Sequence, residues 1–149
     1  MRNLLLGVFF ILLGTNLHAQ NTISLGADIL SPSISGEYEL SGRASVRMDA
    51  GFVIGNSSVI SLNPQLHFHK DNNSYELDDV GLLMPYHGPG VFLQFFDDET
   101  SISAEFVWGF ELDLYDFPIE IFVDAGPSYK LDDPNALSLT SSFGVRYKF

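Results

Sequence analysis

Hydrophobic and polar residues alternate with a period of two along most of this chain, and the alternation is cleanest at its end. Over residues 137–149, Leu137, Leu139, Phe143, Val145, Tyr147 and Phe149 fall on one side, while Ser138, Thr140, Ser142, Gly144, Arg146 and Lys148 fall on the other. Successive side chains of a β-strand point to opposite faces, so such a run is an amphipathic strand. The same rhythm predicts eight strands, over 22–30, 34–40, 43–54, 58–69, 84–96, 101–114, 118–131 and 137–149. Ser41-Gly42 and Gly55-Asn56-Ser57 supply tight turns between them. Pro64 lies inside the fourth run, where its missing N–H predicts a bulge. Residues 70–83 are the one long stretch without a clear period.

Alternation alone does not say which face meets solvent. A soluble barrel buries the apolar face, whereas a membrane barrel turns it to lipid and keeps the polar face inside. Most of the runs are 9–13 residues long. That is close to the ~9–11 residues of a tilted membrane crossing and longer than the ~5–6 of a soluble strand. Tyr86, Tyr115, Phe117, Tyr147 and Phe149 gather near strand ends, where an interfacial aromatic girdle would sit. The chain also stops inside its last strand, on Phe149. These features predict an all-β fold, an eight-stranded antiparallel up-and-down transmembrane β-barrel, too narrow for a wide channel. A soluble periplasmic lipocalin-like barrel holding an apolar ligand is the alternative of opposite polarity.

The start of the chain adds a location. Arg2, an apolar run over 4–13 and Leu17-His18-Ala19 make a signal peptide over 1–19, with cleavage before Gln20. The apolar run is shorter than the ~20 residues of a spanning helix. Residues 20–149 then form one barrel domain. With no cysteine, disulfides, thiolate metal sites and a cysteine nucleophile are excluded. A net charge of −12 without a basic patch argues against a nucleic-acid partner.

The segment from Ile102 to Leu131, centred on W-G-F-E-L-D-L-Y-D-F-P-I-E-I-F-V-D-A-G-P, resembles the last hairpins of small bacterial outer-membrane β-barrel families. Gly144-Val145-Arg146-Tyr147-Lys148-Phe149 is similar to the closing G-x-R-Y-x-F of those families. The resemblance covers about the last 48 residues, and the first half shares only the rhythm. It departs at Glu105, near which an Arg is often found. What it implies is a Gram-negative outer-membrane location, with Phe149 as an assembly signal read by the barrel-assembly machinery. It implies no activity.

An inverted barrel would gather its polar face into an interior network. The residues expected there are Glu37, Glu39, Arg43, Arg47, Glu105, Glu120, Asp124, Arg146 and Lys148, with Asp28, Asp49, Glu111 and Asp113 adding further acids. Turn geometry at Gly42 opposes Glu37 to Arg47 or Glu39 to Arg43. The last turn is expected to oppose Glu120 to Lys148, with Arg146 diagonal to Glu120 and Asp124. Acids outnumber bases, which points to protonated carboxylates, charged histidines or a bound cation. His67 and His69 are the one candidate catalytic pair, and zinc there would need Asp49 or Glu39 as further ligands. No local signature of an enzyme accompanies them, and no cofactor or metal is expected. Asp97-Asp98-Glu99 and Asp132-Asp133 place acids at two turns on one side. The function this supports is structural or interaction-based, in contact with outer-membrane lipid, with any protein partner unidentified. A lipid-modifying enzyme using His67 or His69 is the alternative from another class.

Overall fold

A computed structural model describes residues 23–30, 32–41, 43–53, 59–69, 74–96, 99–133 and 136–149. The strands are β1 (Ile23–Asp28), β2 (Ser33–Ser41), β3 (Ala44–Val53), β4 (Val59–His69), β5 (Tyr75–Leu77), β6 (Gly81–Phe95), β7 (Thr100–Leu114), β8 (Ile119–Lys130) and β9 (Leu137–Lys148). They lie in the order β4-β3-β2-β1-β9-β8-β7-β6-β5, and β4 also pairs with β6, which closes the sheet. All pairings are antiparallel, including β1 with β9, where Gly26 opposes Arg146. The molecule is therefore a closed eight-stranded barrel with the three-residue β5 appended to the start of β6. Closure leaves the eight long strands without free edges.

The period of two is what sorts the faces. Along β8, Glu120, Phe122, Asp124 and Ser128 are buried, while Ile121, Val123 and Tyr129 face outward. The polarity is the inverse of a soluble barrel. Among the described residues only three hydrophobic ones are buried, Tyr86, Val107 and Phe122, against seventeen polar or charged ones. Leu25, Ile34, Met48, Ile60 and Val145 are among the many large apolar side chains exposed on the outside. An interior of this kind is tolerable only where its polar groups satisfy one another, because an unpaired buried polar group costs several kcal/mol.

The structure differs from the sequence reading at four places in the fold. Residues 70–83 contain a hairpin: Leu77 pairs with Gly81, and Asp79 takes the left-handed turn conformation at φ 57°. β6 consequently begins three residues before the expected 84. No bulge forms at Pro64, which pairs in unbroken register with Met48; the irregularity lies at Glu39/Ser41, beside the β2–β3 turn. Tyr86 does not join an outer girdle but points into the lumen, 2% exposed. The signal peptide over 1–19, the Gly42 and 55–57 turns, and Asp97 and Asp98 lie outside the described residues.

Candidate functional site in the barrel lumen

The centre of the lumen is built around Phe122 of β8. The guanidinium of Arg47 lies 4.0 Å from the centre of its ring and that of Arg146 lies 4.5 Å from it. Both are within cation–π range in a desolvated setting. Phe122 sits opposite Gly144 of β9, and Tyr86 sits opposite Gly109 of β7. A Cβ at Gly144 would lie 2.4 Å from the Phe122 ring, and one at Gly109 would lie 2.6 Å from that of Tyr86. Glycine at these two positions is what gives each ring its space.

Each arginine gathers three carboxylates. Arg47 of β3 bonds Asp49 at 3.0 Å and Asp124 at 2.7 Å, with Asp28 of β1 at 4.0 Å. Tyr86 donates its hydroxyl to Asp124 at 2.6 Å. Arg146 of β9 bonds Glu111 of β7 at 2.8 Å and Glu120 of β8 at 2.7 Å, and it also pairs with Glu37 of β2. Both arginines are fully buried. Removing a charge from water is costly, and bonded pairs of this kind are what offset that cost.

Opposition in the ladder decides only one of these arginine partners, Glu120 for Arg146. Glu37 and Arg47 are directly opposed, yet Arg47 reaches across to Asp124 while Glu37 turns to Arg146. In the last hairpin the register runs two residues from the expected one. Glu120 opposes Arg146, not Lys148, and Lys148 bonds Asp113 at 2.5 Å. A slip of two residues leaves every side chain of the strand on its own face. Glu105 accepts a hydrogen bond from Gln65 at 2.9 Å, and Glu39 borders a cavity at one end of the lumen. Arg43, expected inside, lies in the β2–β3 turn one residue before β3 begins, where its side chain is exposed to solvent instead of enclosed by the lumen. Phe149 is exposed, and its N–H donates to Ile23 O at 2.9 Å across the β9–β1 seam.

Two cavities flank this packed middle. The smaller, about 250 Å³, lies at the end where β1 begins and β9 finishes and is bordered by Glu37, Glu39, His69, Glu111 and Lys148. The larger, about 630 Å³, lies at the opposite end and is bordered by Ser33, Ser61, Ser101, Ser103, Ser128 and Thr140.

The histidines sit between the packed middle and the smaller cavity. His67 is fully buried, stacks on Tyr86 with ring centres 4.2 Å apart, and bonds Gln65 Oε1 through Nε2 at 2.8 Å. His69 Nε2 lies 3.2 Å from Ser45 Oγ, and its Nδ1 lies 3.7 Å from Glu111 Oε2. Ser45, His69 and Glu111 thus line up as hydroxyl, imidazole and carboxylate. The Nδ1 to carboxylate distance exceeds a hydrogen bond, and Glu111 is already engaged by Arg146. Ser45 also points into the lumen, away from the apolar exterior where an acyl chain would lie. Sequence reasoning missed Phe122, Tyr86 and Ser45 as members of this cluster. For Phe122 the signal was its even spacing with Glu120 and Asp124, overridden by its chemical type.

No protein-family model matches the chain, and no curated protein matches it. Among solved structures it is similar to the N-terminal β-barrel domain of Pseudomonas aeruginosa OprF, with a TM-score of 0.60 and 14% sequence identity. The match covers 87% of this chain and 96% of that one. At that identity the likeness bears on the fold alone, where it agrees with the closed barrel described above.

Proposed function

We propose that this chain is an integral outer-membrane β-barrel with a structural or interaction role in a Gram-negative envelope, and that it conducts no steady current. The observation that carries the reading is the inverted polarity: an apolar exterior around a lumen of paired charges. A lipid bilayer solvates that exterior, whereas water would not. The continuous packing of Arg47, Phe122, His67 and Arg146 between the two cavities supports a blocked lumen. On this reading residues 1–19 direct export and are removed, and Phe149 serves the barrel-assembly machinery. Lipid is then the partner of the outer surface.

Cell fractionation followed by gel electrophoresis with and without boiling tests the proposal. The expected result is recovery in the outer-membrane fraction with a mobility that changes on boiling, as a detergent-resistant barrel does. Release into the soluble periplasm overturns it. Steady single-channel current in a planar bilayer would remove the claim of a blocked lumen.

A further inference from the structure

We propose that Glu37, His69 and Glu111 bind a zinc-class divalent cation at the inner wall of the smaller cavity. One ligand atom from each of the three lies within 4.8 Å of the others. The hydrogen-bond pattern of the two neighbouring imidazoles points to the same place independently. Gln65 donates its amide to Glu105, so the Gln65 oxygen that faces His67 must accept, and His67 Nε2 carries the proton. Nδ1 of a neutral His67 is then a bare lone pair. It has no hydrogen-bond partner among the described residues and lies 3.9 Å from Glu37 Oε2 and 3.9 Å from Glu111 Oε1.

His69 repeats the arrangement. Its Nε2 is engaged by the Ser45 hydroxyl at 3.2 Å, while its Nδ1 is buried without a hydrogen-bond partner among the described residues and lies 3.7 Å from Glu111 Oε2. Lone pairs facing carboxylate oxygens repel unless a positive charge lies between them. The separation of 3.7 Å is too long for an N–H···O bond. It is close to the ~3.3–3.6 Å between two ligands of a tetrahedral ion with bonds of about 2.0–2.2 Å. An imidazole that ligates through one nitrogen while the other donates to a fixed partner is the usual arrangement of a metal-bound histidine.

Charge supports the same site. Glu37, Glu111 and Glu120 set three carboxylates against the single guanidinium of Arg146, and a divalent ion would cancel the two charges left over. The Asp28, Asp49 and Asp124 cluster has the same excess but meets it with neutral donors. Asp28 accepts from the Leu30 and Phe143 amides, and Asp124 accepts from the Tyr86 hydroxyl. Nitrogen and carboxylate donors together suit a borderline transition ion better than calcium or magnesium. The cavity gives a hydrated ion its route in.

The test uses the full chain in detergent, stripped with chelator and titrated with Zn²⁺ and with Co²⁺. The expected result is one ion per chain, a visible Co²⁺ absorption band, and a rise in unfolding midpoint with Zn²⁺. His69→Ala and Glu37→Gln, each checked for barrel closure by gel mobility, should weaken binding by at least about a hundredfold. His87→Ala, on the outer face, should leave it unchanged. ¹⁵N NMR of the unsubstituted chain gives a test that no folding failure can spoil: Zn²⁺ must shift His69 Nδ1 while the signal of His87 stays put. No uptake by the stripped chain would mean that a proton or a bridging water occupies this place, and it overturns the proposal. Wild-type affinity in folded His69→Ala, or shifts confined to His87, overturns it equally.

Discussion

At one end of the lumen Glu37, Glu111 and Glu120 converge on Arg146 beside a cavity of about 250 Å³. At the other, Asp28, Asp49 and Asp124 converge on Arg47 beside a cavity of about 630 Å³ rimmed by hydroxyls. The two clusters have the same ratio of acids to base and share Phe122 as their wall, yet they are solvated differently. Backbone amides and a tyrosine hydroxyl serve the aspartates, and the broad hydroxyl-lined space next to them can hold water. The glutamates face imidazole nitrogens instead, in a tighter space. Equal charge counts therefore do not mean equal electrostatic stress. The neutral donors around each cluster decide how much of its excess charge is relieved.

Replacing the arginines is the most severe way to break this comparison. Arg146→Met strands three buried glutamates and should destabilise the barrel by about 3–5 kcal/mol, the usual cost of breaking a buried pair. Arg47→Met should cost measurably less, because neutral donors and cavity water remain for its aspartates. Urea unfolding in lipid vesicles, with the folded fraction read from gel mobility, measures both. Equal losses would show that the two ends are not solvated differently.

Disturbing the shared wall comes next. Gly144→Ala would bring a methyl group to 2.4 Å from the Phe122 ring and 2.2 Å from the Ala27 carbonyl oxygen. The ring can shift but the ladder carbonyl cannot, so overpacking should cost about 2 kcal/mol. The same unfolding experiment applies, and a neutral result would mean that the wall yields freely.

The barrel itself was legible because a period of two survives any uncertainty in strand ends. Shifting β9 by two residues against β8 leaves Arg146 and Lys148 on the same face and changes only which residues they oppose. Arg47 shows why partners were harder to read. Its side chain is long enough to cross a narrow lumen, so Asp124 on a strand 77 residues away competes with Glu37 directly opposite. Cross-strand pairing describes an open sheet, and closure adds the far wall as a rival. Tyr86 and Phe122 were missed for a related reason. In a polar lumen an aromatic ring is useful as a surface for guanidinium and imidazole, a role that hydrophobic patterning assigns to the outside. β5 left no periodic signal because three residues are too few to show one.

Tyr86→Phe probes the neutral donors at the aspartate end. It removes the hydroxyl that reaches Asp124 at 2.6 Å and keeps the ring that stacks on His67. Asp124 retains Arg47 at 2.7 Å, so the loss should be about 1–2 kcal/mol, the range for a hydrogen bond to a charged group. It should also narrow the gap between Arg146→Met and Arg47→Met when the substitutions are combined, because the aspartates then lose part of what replaces the guanidinium. An unchanged gap would assign the difference between the ends to cavity water alone.

The finest comparison uses one serine from each end. Ser45 of β3 bonds His69 at 3.2 Å beside the smaller cavity, whereas the buried hydroxyl oxygen of Ser33 has no hydrogen-bond partner among the described residues and borders the larger one. Deleting the first hydroxyl leaves an imidazole nitrogen without its partner in a tight space, so Ser45→Ala should cost about 1 kcal/mol. Deleting the second removes a group that water in a broad cavity can satisfy equally well in its neighbours, so Ser33→Ala should stay within about 0.5 kcal/mol of wild type. Both substitutions remove one oxygen from a lumen-facing strand position and leave strand propensity nearly alike, so the difference between them isolates solvation. Unfolding midpoints measured in the same vesicles decide it. If Ser33→Ala proves the more damaging, the larger cavity is an ordered polar network and the contrast between the two ends reverses.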